Sequence, residues 1–240
     1  MQSLSGKSAV VTGGSRGIGY AIAQALLAEG ASVVITGLNT SNLDEAKRKL
    51  DAGAAGRVEA RRADGRQYEE MNAAIGVAAS RFGGLDILVN NAGIGIFANV
   101  ADMTPAQWSE VMDTNLTGVF NACQAALPHM RRRGGGFIVN ISSLSGTNPF
   151  AGAAAYCASK AGLNAFSEAL MQELRHEDIR VSCVAPGSVS TGFASGDASK
   201  GTDWKIAPDE VAAVVVNLLR HDTRSLPSRV ELRPSKPPRK

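Results

Sequence analysis

Short apolar runs alternate with longer helical patterns almost from the first residue of this chain, and that alternation constrains the fold more than any other feature. Ala9-Val10-Val11, Ser32 to Thr36 (SVVIT), Asp86 to Asn90 (DILVN), Phe137 to Ile141 (FIVNI) and Ile179 to Val184 read as strands. Arg57 to Ala63 is a weaker one, and Arg229 to Leu232 a last. Between the first two, Ile18, Ala21, Ile22, Ala25 and Leu26 carry the spacing of a helix face, which Gly30 closes. Helices are expected over Asp44 to Leu50, Glu69 to Phe82, Thr104 to Arg131 and Tyr156 to Glu177, and from Pro208 onward. Thr104-Pro105-Ala106-Gln107 has the pattern of a capping box with proline at the first helical position. Strands that are apolar without alternation belong in a parallel sheet covered on both faces. With 240 residues, 44% of them hydrophobic, and no linker or internal repeat, the expectation is one doubly wound α/β domain of about seven strands over 1–240.

A formal charge of +3 gives no reason to expect nucleic acid. Cys123, Cys157 and Cys183 are odd in number and form no C-x-x-C pair, and His129, His176 and His221 are scattered, so neither a disulfide framework nor a metal site is expected. The N-terminus lacks the pattern of a secretory signal, and no apolar run approaches the roughly 20 residues that span a bilayer. A cytoplasmic protein with no membrane partner is the expectation.

Thr12-Gly13-Gly14-Ser15-Arg16-Gly17-Ile18-Gly19 lies between the first strand and the first helix. An open parallel sheet binds a nucleotide there, with phosphates at the helix N-terminus. Glycine is needed because a Cβ would block the approach of backbone to pyrophosphate. An NAD site usually has an acid after the second strand, but here that strand ends Thr36-Gly37-Leu38-Asn39, with no carboxylate. Arg16 offers a charge for a 2′-phosphate. NADP is the expected cofactor, with NAD possible.

Taken together, these residues resemble the short-chain dehydrogenase/reductase family. The matching motifs are T-G-x-x-x-G-x-G at Thr12 to Gly19, N-N-A-G at Asn90 to Gly93, Asn115, Ser143, Y-x-x-x-K at Tyr156 and Lys160, and P-G-x-x-x-T at Pro186 to Thr191. They stand in the family's order across nearly the whole chain. The resemblance implies a Rossmann-type NAD(P)-dependent oxidoreductase with Ser143, Tyr156 and Lys160 as catalytic residues, supported by Asn115. It implies cofactor contacts from Gly13, Ser15, Arg16, Gly17, Ile18 and Gly19, from Asp64 at the adenine, and from Asn91, Ala92 and Gly93. It further implies contacts from Tyr156, Lys160, Pro186, Gly187, Val189 and Thr191, the last at the nicotinamide carboxamide. NADP-using members often have arginine where Leu38 stands, so the NADP preference rests on Arg16 and the missing acid. A homodimer or homotetramer is the family's implication for assembly.

The chemistry is intelligible from the residues. Hydride transfer to a carbonyl creates an alkoxide that needs a proton. A tyrosine, with a free pKa of about 10, is a poor acid–base until a nearby ammonium stabilises its phenolate. Positions i and i+4 share a helix face, so Lys160 is expected beside the Tyr156 hydroxyl, lowering its pKa. Ser143 lies just past a strand end and can orient a carbonyl oxygen, although Ser142 and Ser145 are equal candidates from the residues alone. Asn115 is a polar residue among apolar helix neighbours and must have partners: a strand, or a water serving Lys160. Cys157, Trp108 and Trp204 read as packing residues.

Residues 192–207 are expected to form a substrate lid, anchored by Phe193, Trp204 and Ile206, and about 233–240 a basic proline-rich tail. The expected reaction interconverts a carbonyl and an alcohol on a small molecule. A 3-oxoacyl thioester reductase and a sugar or polyol dehydrogenase remain open, as does a non-catalytic NADP-binding regulator.

Overall fold

The computed structural model describes residues 1–193 and 203–238. The expected lid therefore lies largely outside the described residues, as do the last two residues of the tail. The strands are β1 (Ser8–Val11), β2 (Ser32–Gly37), β3 (Val58–Arg62), β4 (Ile87–Asn90), β5 (Gly136–Ile141), β6 (Ile179–Pro186) and β7 (Arg229–Leu232). All pair in parallel in one sheet of order β3-β2-β1-β4-β5-β6-β7. The helices are α1 (Gly17–Ala28), α2 (Thr40–Asp51), α3 (Tyr68–Phe82), α4 (Pro105–Met112), α5 (Gly118–Arg132), α6 (Ala154–Leu174) and α7 (Pro208–Leu219).

The period of two within each strand sorts the core into two layers. Ala9, Val11, Val33, Ile35, Ile87 and Val89 face Ile22 and Leu26 of α1, Leu43 and Leu50 of α2, and Val211 and Val215 of α7. Val10, Val34, Leu88 and Ile138 face Met71 and Ile75 of α3, Val119 and Met130 of α5, and Leu163 of α6. Both strand faces are dry, which is why these strands are apolar without alternation. Each fully buried aliphatic side chain contributes about 1.5–3 kcal/mol, so neither layer is dispensable. Chain direction away from β1 reverses between β1 and β4, and this order opens a crevice at their carboxyl ends.

One expected element is corrected. The single helix over Thr104 to Arg131 is instead α4 and α5 separated by one π-helical stretch, Asp113–Thr117. Its start is as expected: the Gln107 amide N–H donates to Thr104 Oγ1 at 3.2 Å, and the Thr104 amide N–H donates to Gln107 Oε1 at 2.9 Å. A π-turn widens the helix by one residue. Here it carries Asn115 at its centre, where the amide engages a neighbouring loop. Tyr156 sits in the first turn of α6, which begins two residues earlier, at Ala154.

Candidate active site

At the end of β1 the chain enters the glycine turn. Gly17 has φ +56°, a left-handed conformation that L side chains rarely adopt, and a Cβ there would stand 3.2 Å from Thr191 Cγ2. At Gly19 a Cβ would collide with the Gly13 carbonyl oxygen and the Asn91 side chain. The turn is locked from β4: Thr12 Oγ1 accepts from the Asn91 and Ala92 amides, both at 3.0 Å, and Asn91 Nδ2 donates to the Thr12 and Gly13 carbonyls at 2.9 and 3.2 Å. The N-cap of α1 is Arg16, whose side chain makes no capping bond, and the first turn holds no acid. Those first amide N–H groups and the positive end of the helix dipole form a cradle for an anion, and a dinucleotide pyrophosphate fits it.

Arg16 is exposed at this helix start, and Ser15 Oγ lies 3.5 Å from where a Cβ of Gly37 would be. The end of β2 itself, Thr36-Gly37-Leu38-Asn39, carries no acid, and Leu38 is turned 55% to solvent. Ile18 packs against the core, so only its backbone faces the turn. Pro186 ends β6, the Gly187 amide donates to the Leu232 carbonyl at 2.8 Å, and Val189 packs against the core. This run delivers Thr191 over Gly17. Asp64 stands apart, beyond the end of β3. Its carboxylate is held by Arg66 in a forked pair at 2.6–3.0 Å, and the Arg66 guanidinium keeps it below the usual aspartate range. Contact with an adenine would have to share or open that pair.

Deeper in the crevice, Asn115 is fully buried and spent on structure. Its Oδ1 accepts from the Ile94 amide at 2.8 Å, and its Nδ2 donates to the Ile94 carbonyl at 2.9 Å and to Ser159 Oγ at 3.0 Å. The amide thus ties the loop after β4 to α6, and the π-turn is what carries it there. A Cβ on Gly93 would lie 3.1 Å from Asn115 Oδ1 and 3.6 Å from Lys160 Nζ, so glycine leaves open the space in front of the lysine.

Lys160 is 4% exposed and its Nζ donates to the Ile141 carbonyl at 2.9 Å. Burial pulls its pKa down to about 8, against a small upward contribution from Cys183. Nζ lies 5.9 Å from the Tyr156 ring centroid. For Tyr156 the direction of the shift is the reverse of the sequence expectation: burial pushes the phenol up, and the Ser143 hydroxyl beside it only partly opposes this. The reason is that both groups are taken out of water, which favours the neutral form of each. The lysine, moreover, spends a proton on a carbonyl rather than on the phenol.

The three serines after β5 separate cleanly. Ser142 Oγ donates to Asn164 Oδ1 at 2.6 Å and sits in the core. Ser143 Oγ faces Tyr156, accepting from the Ser145 amide and donating to Ser145 Oγ, both at 3.1 Å. Ser143 is therefore the hydroxyl beside the phenol, with Ser145 behind it.

Two residues that sequence reasoning missed line the crevice. Phe97 packs on Tyr156 with centroids 5.8 Å apart and on Phe150 at 6.2 Å. Phe193, an expected anchor, also lies 5.8 Å from Tyr156. The signal available was position: Phe97 and Phe150 follow the carboxyl ends of β4 and β5, where such sheets hold ligands. Two other expectations change. Ile206 is 6% exposed, part of the core rather than a lid anchor, and Trp108 is 42% exposed rather than packed. Among the described residues, no three His, Cys, Asp or Glu side chains gather as a metal site, and no helix is long and apolar enough to cross a membrane.

Residues 7–200 match the family model described as short chain dehydrogenase. The chain is 38% identical over 190 residues to a 3-oxoacyl-(acyl-carrier-protein) reductase from Chlamydia muridarum, covering 79% of this chain and 77% of that protein. It is 38% identical to an uncharacterized oxidoreductase of Mycobacterium bovis, covering 90% of each. Among solved structures, a short chain dehydrogenase from Burkholderia cenocepacia in complex with NADP aligns with a TM-score of 0.86 and 34% identity over 97% of each chain. A dehydrogenase/reductase from Sinorhizobium meliloti aligns at 0.87 with 35% identity over 96% of each.

Proposed function

The chain belongs to the short-chain dehydrogenase/reductase family and is an NAD(P)-dependent oxidoreductase, and from that premise we propose that it interconverts a carbonyl and an alcohol with NADP(H), Tyr156 exchanging the proton. The observation that carries this reading is the grouping of the half-buried Tyr156 phenol, the Ser143 hydroxyl and the Lys160 ammonium at the carboxyl end of β5, next to the glycine turn.

The nicotinamide, when bound, supplies or takes up the hydride. Gly13, Ser15, Arg16, Gly17, Ile18 and Gly19 would hold the phosphates, with the Arg16 guanidinium supplying the charge for a 2′-phosphate. Asn91, Ala92, Gly93, Pro186, Gly187, Val189 and Thr191 line the nicotinamide end, and Asp64 the adenine end. Ser143 donates to the substrate oxygen and fixes its position. Tyr156, a phenol whose pKa burial raises further above 10, gives that oxygen its proton during reduction. In the opposite direction the phenolate accepts a proton, and Lys160 is the cation that offsets its charge. Asn115 holds the wall that keeps Lys160 in place. NADP is also what the Burkholderia cenocepacia neighbour holds, which supports the cofactor choice.

The Chlamydia muridarum relative favours a second reading, a 3-oxoacyl thioester reductase. A cytoplasmic homo-oligomer completes the proposal: all three cysteines are free and buried, and Phe120, 46% exposed, packs edge-on against Phe166 across α5 and α6, an apolar face suited to a second copy. The test is a titration with NADPH and NADH, followed by a panel of aldehydes, ketones and 3-oxoacyl thioesters. NADPH consumption with a carbonyl supports the reading. NADPH binding without turnover of any carbonyl would leave the regulator in its place.

A further inference from the structure

Phe97, Phe150 and Phe193 come from the three loops that follow β4, β5 and β6, yet their rings gather at one place. Tyr156 has Phe97 and Phe193 on it, each at 5.8 Å and tilted by 60° and 53°, and Phe150 extends the wall from Phe97 at 6.2 Å with planes only 27° apart. The three are 43%, 54% and 44% exposed. Burying these rings would be worth several kcal/mol, and a chain leaves such a patch in water at its ligand edge when something apolar is to cover it.

The patch is held in place. A parallel bridge pairs Ala98 with Ala153, so the backbones carrying Phe97 and Phe150 are joined within three residues of either ring. Gly95 makes the convergence possible: a Cβ there would stand 2.8 Å from Phe97 Cζ and 3.1 Å from Phe193 Cε1. The two loops that carry Phe97 and Phe150 are also without charged side chains. From Asn91 to Ala101, and from Gly134 to Ser159, the chain has no Asp, Glu, Lys or Arg. Neither loop can pair with a carboxylate or phosphate on a substrate, and phenyl walls offer nothing to the hydroxyls of a polyol.

Resting on the carbonyl–alcohol reading, we infer that the substrate carries a planar aromatic ring next to its carbonyl, laid against the wall that Phe97 and Phe150 form together while the carbonyl oxygen meets Tyr156 and Ser143. An aromatic ring gains about 0.5–1.5 kcal/mol per aromatic neighbour beyond its area, so two neighbours separate an aryl from an alkyl ketone by roughly tenfold in kcat/KM.

The experiment compares an aryl methyl ketone with a linear 2-alkanone of the same carbon number and with a 3-oxoacyl thioester, using NADPH and the full chain. The expected result is a tenfold preference for the aryl ketone that collapses towards one in Phe97→Leu and Phe150→Leu, chiefly through KM. Phe150 lies in an exposed loop, so its variant folds even if Phe97→Leu suffers. Equal kcat/KM for aryl and alkyl ketones, a preference for the thioester, or a preference that survives both substitutions overturns the inference while leaving the carbonyl reading intact. Absence of turnover with all three overturns both.

Discussion

Lys160 Nζ stands 5.9 Å from the centre of the Tyr156 ring and gives its 2.9 Å hydrogen bond to the Ile141 carbonyl instead of the phenol. The ammonium is thus stored behind the tyrosine, anchored to β5, at the cost of its hydration. Each group is shifted towards its uncharged form, the lysine down to about 8 and the tyrosine upward. On the proposed reading, the pair is organised for a reaction that creates charge rather than for a resting ion pair.

That storage has a signature in stability. The folded Lys160 pKa of about 8 lies below the ordinary 10.5, so the unfolded chain binds the extra proton between those values and stability rises across that window. Below pH 8 the full cost, roughly 3 kcal/mol, is present. In urea unfolding, wild type should gain roughly 2 kcal/mol between pH 7 and 9.5 relative to Lys160→Met. Parallel pH curves for the two proteins would show that the lysine carries no such shift.

Ser142 and Ser143 should part company under substitution. Ser143→Ala removes the hydroxyl beside the phenol, and kcat should fall by about 10²-fold or more with little change in Tm. Ser142→Ala strips Asn164 Oδ1 of its 2.6 Å bond and should cost about 1 kcal/mol of stability with near-normal kcat. Steady-state kinetics and thermal melts on both variants decide it.

Asn115 makes three buried hydrogen bonds, two of them to the main chain of Ile94. Asn115→Leu leaves the Ile94 amide and carbonyl unpaired and should destabilise the fold by about 3 kcal/mol, a fall in Tm of roughly 5–10 °C. Calorimetry reads it directly. A variant as stable as wild type would mean that the π-turn has another support.

On the proposed reading, cofactor choice turns on Arg16. With no acid at the end of β2, Arg16→Ala should weaken NADPH by about tenfold and barely affect NADH, because only the former has the 2′-phosphate. Fluorescence titration gives both affinities. Equal losses would assign Arg16 to the shared pyrophosphate.

How much of this was legible beforehand follows from which signals are local. The strands and most helices declare themselves through apolar periodicity, and the glycine turn through residue types that only a close backbone approach requires. The break at Asp113–Thr117 is invisible locally, because it exists to deliver Asn115 to a loop twenty-one residues earlier in the chain. The sign of the Tyr156 shift departs from the expectation for a related reason. Spacing of i and i+4 places the lysine on the right face, but the carbonyl that captures it belongs to β5. Phe97 and Phe150 sit in aperiodic loops, and only the tertiary fold brings them to Tyr156.

The central claim, that Tyr156 is the proton donor to a carbonyl, is tested most directly by Tyr156→Phe with NADPH and a turned-over ketone. The ring and its contacts with Phe97 and Phe193 are retained, so NADPH affinity should stay within about twofold while kcat falls by roughly 10³-fold. A Tyr156→Phe enzyme that reduces the ketone at a rate near wild type would contradict the account.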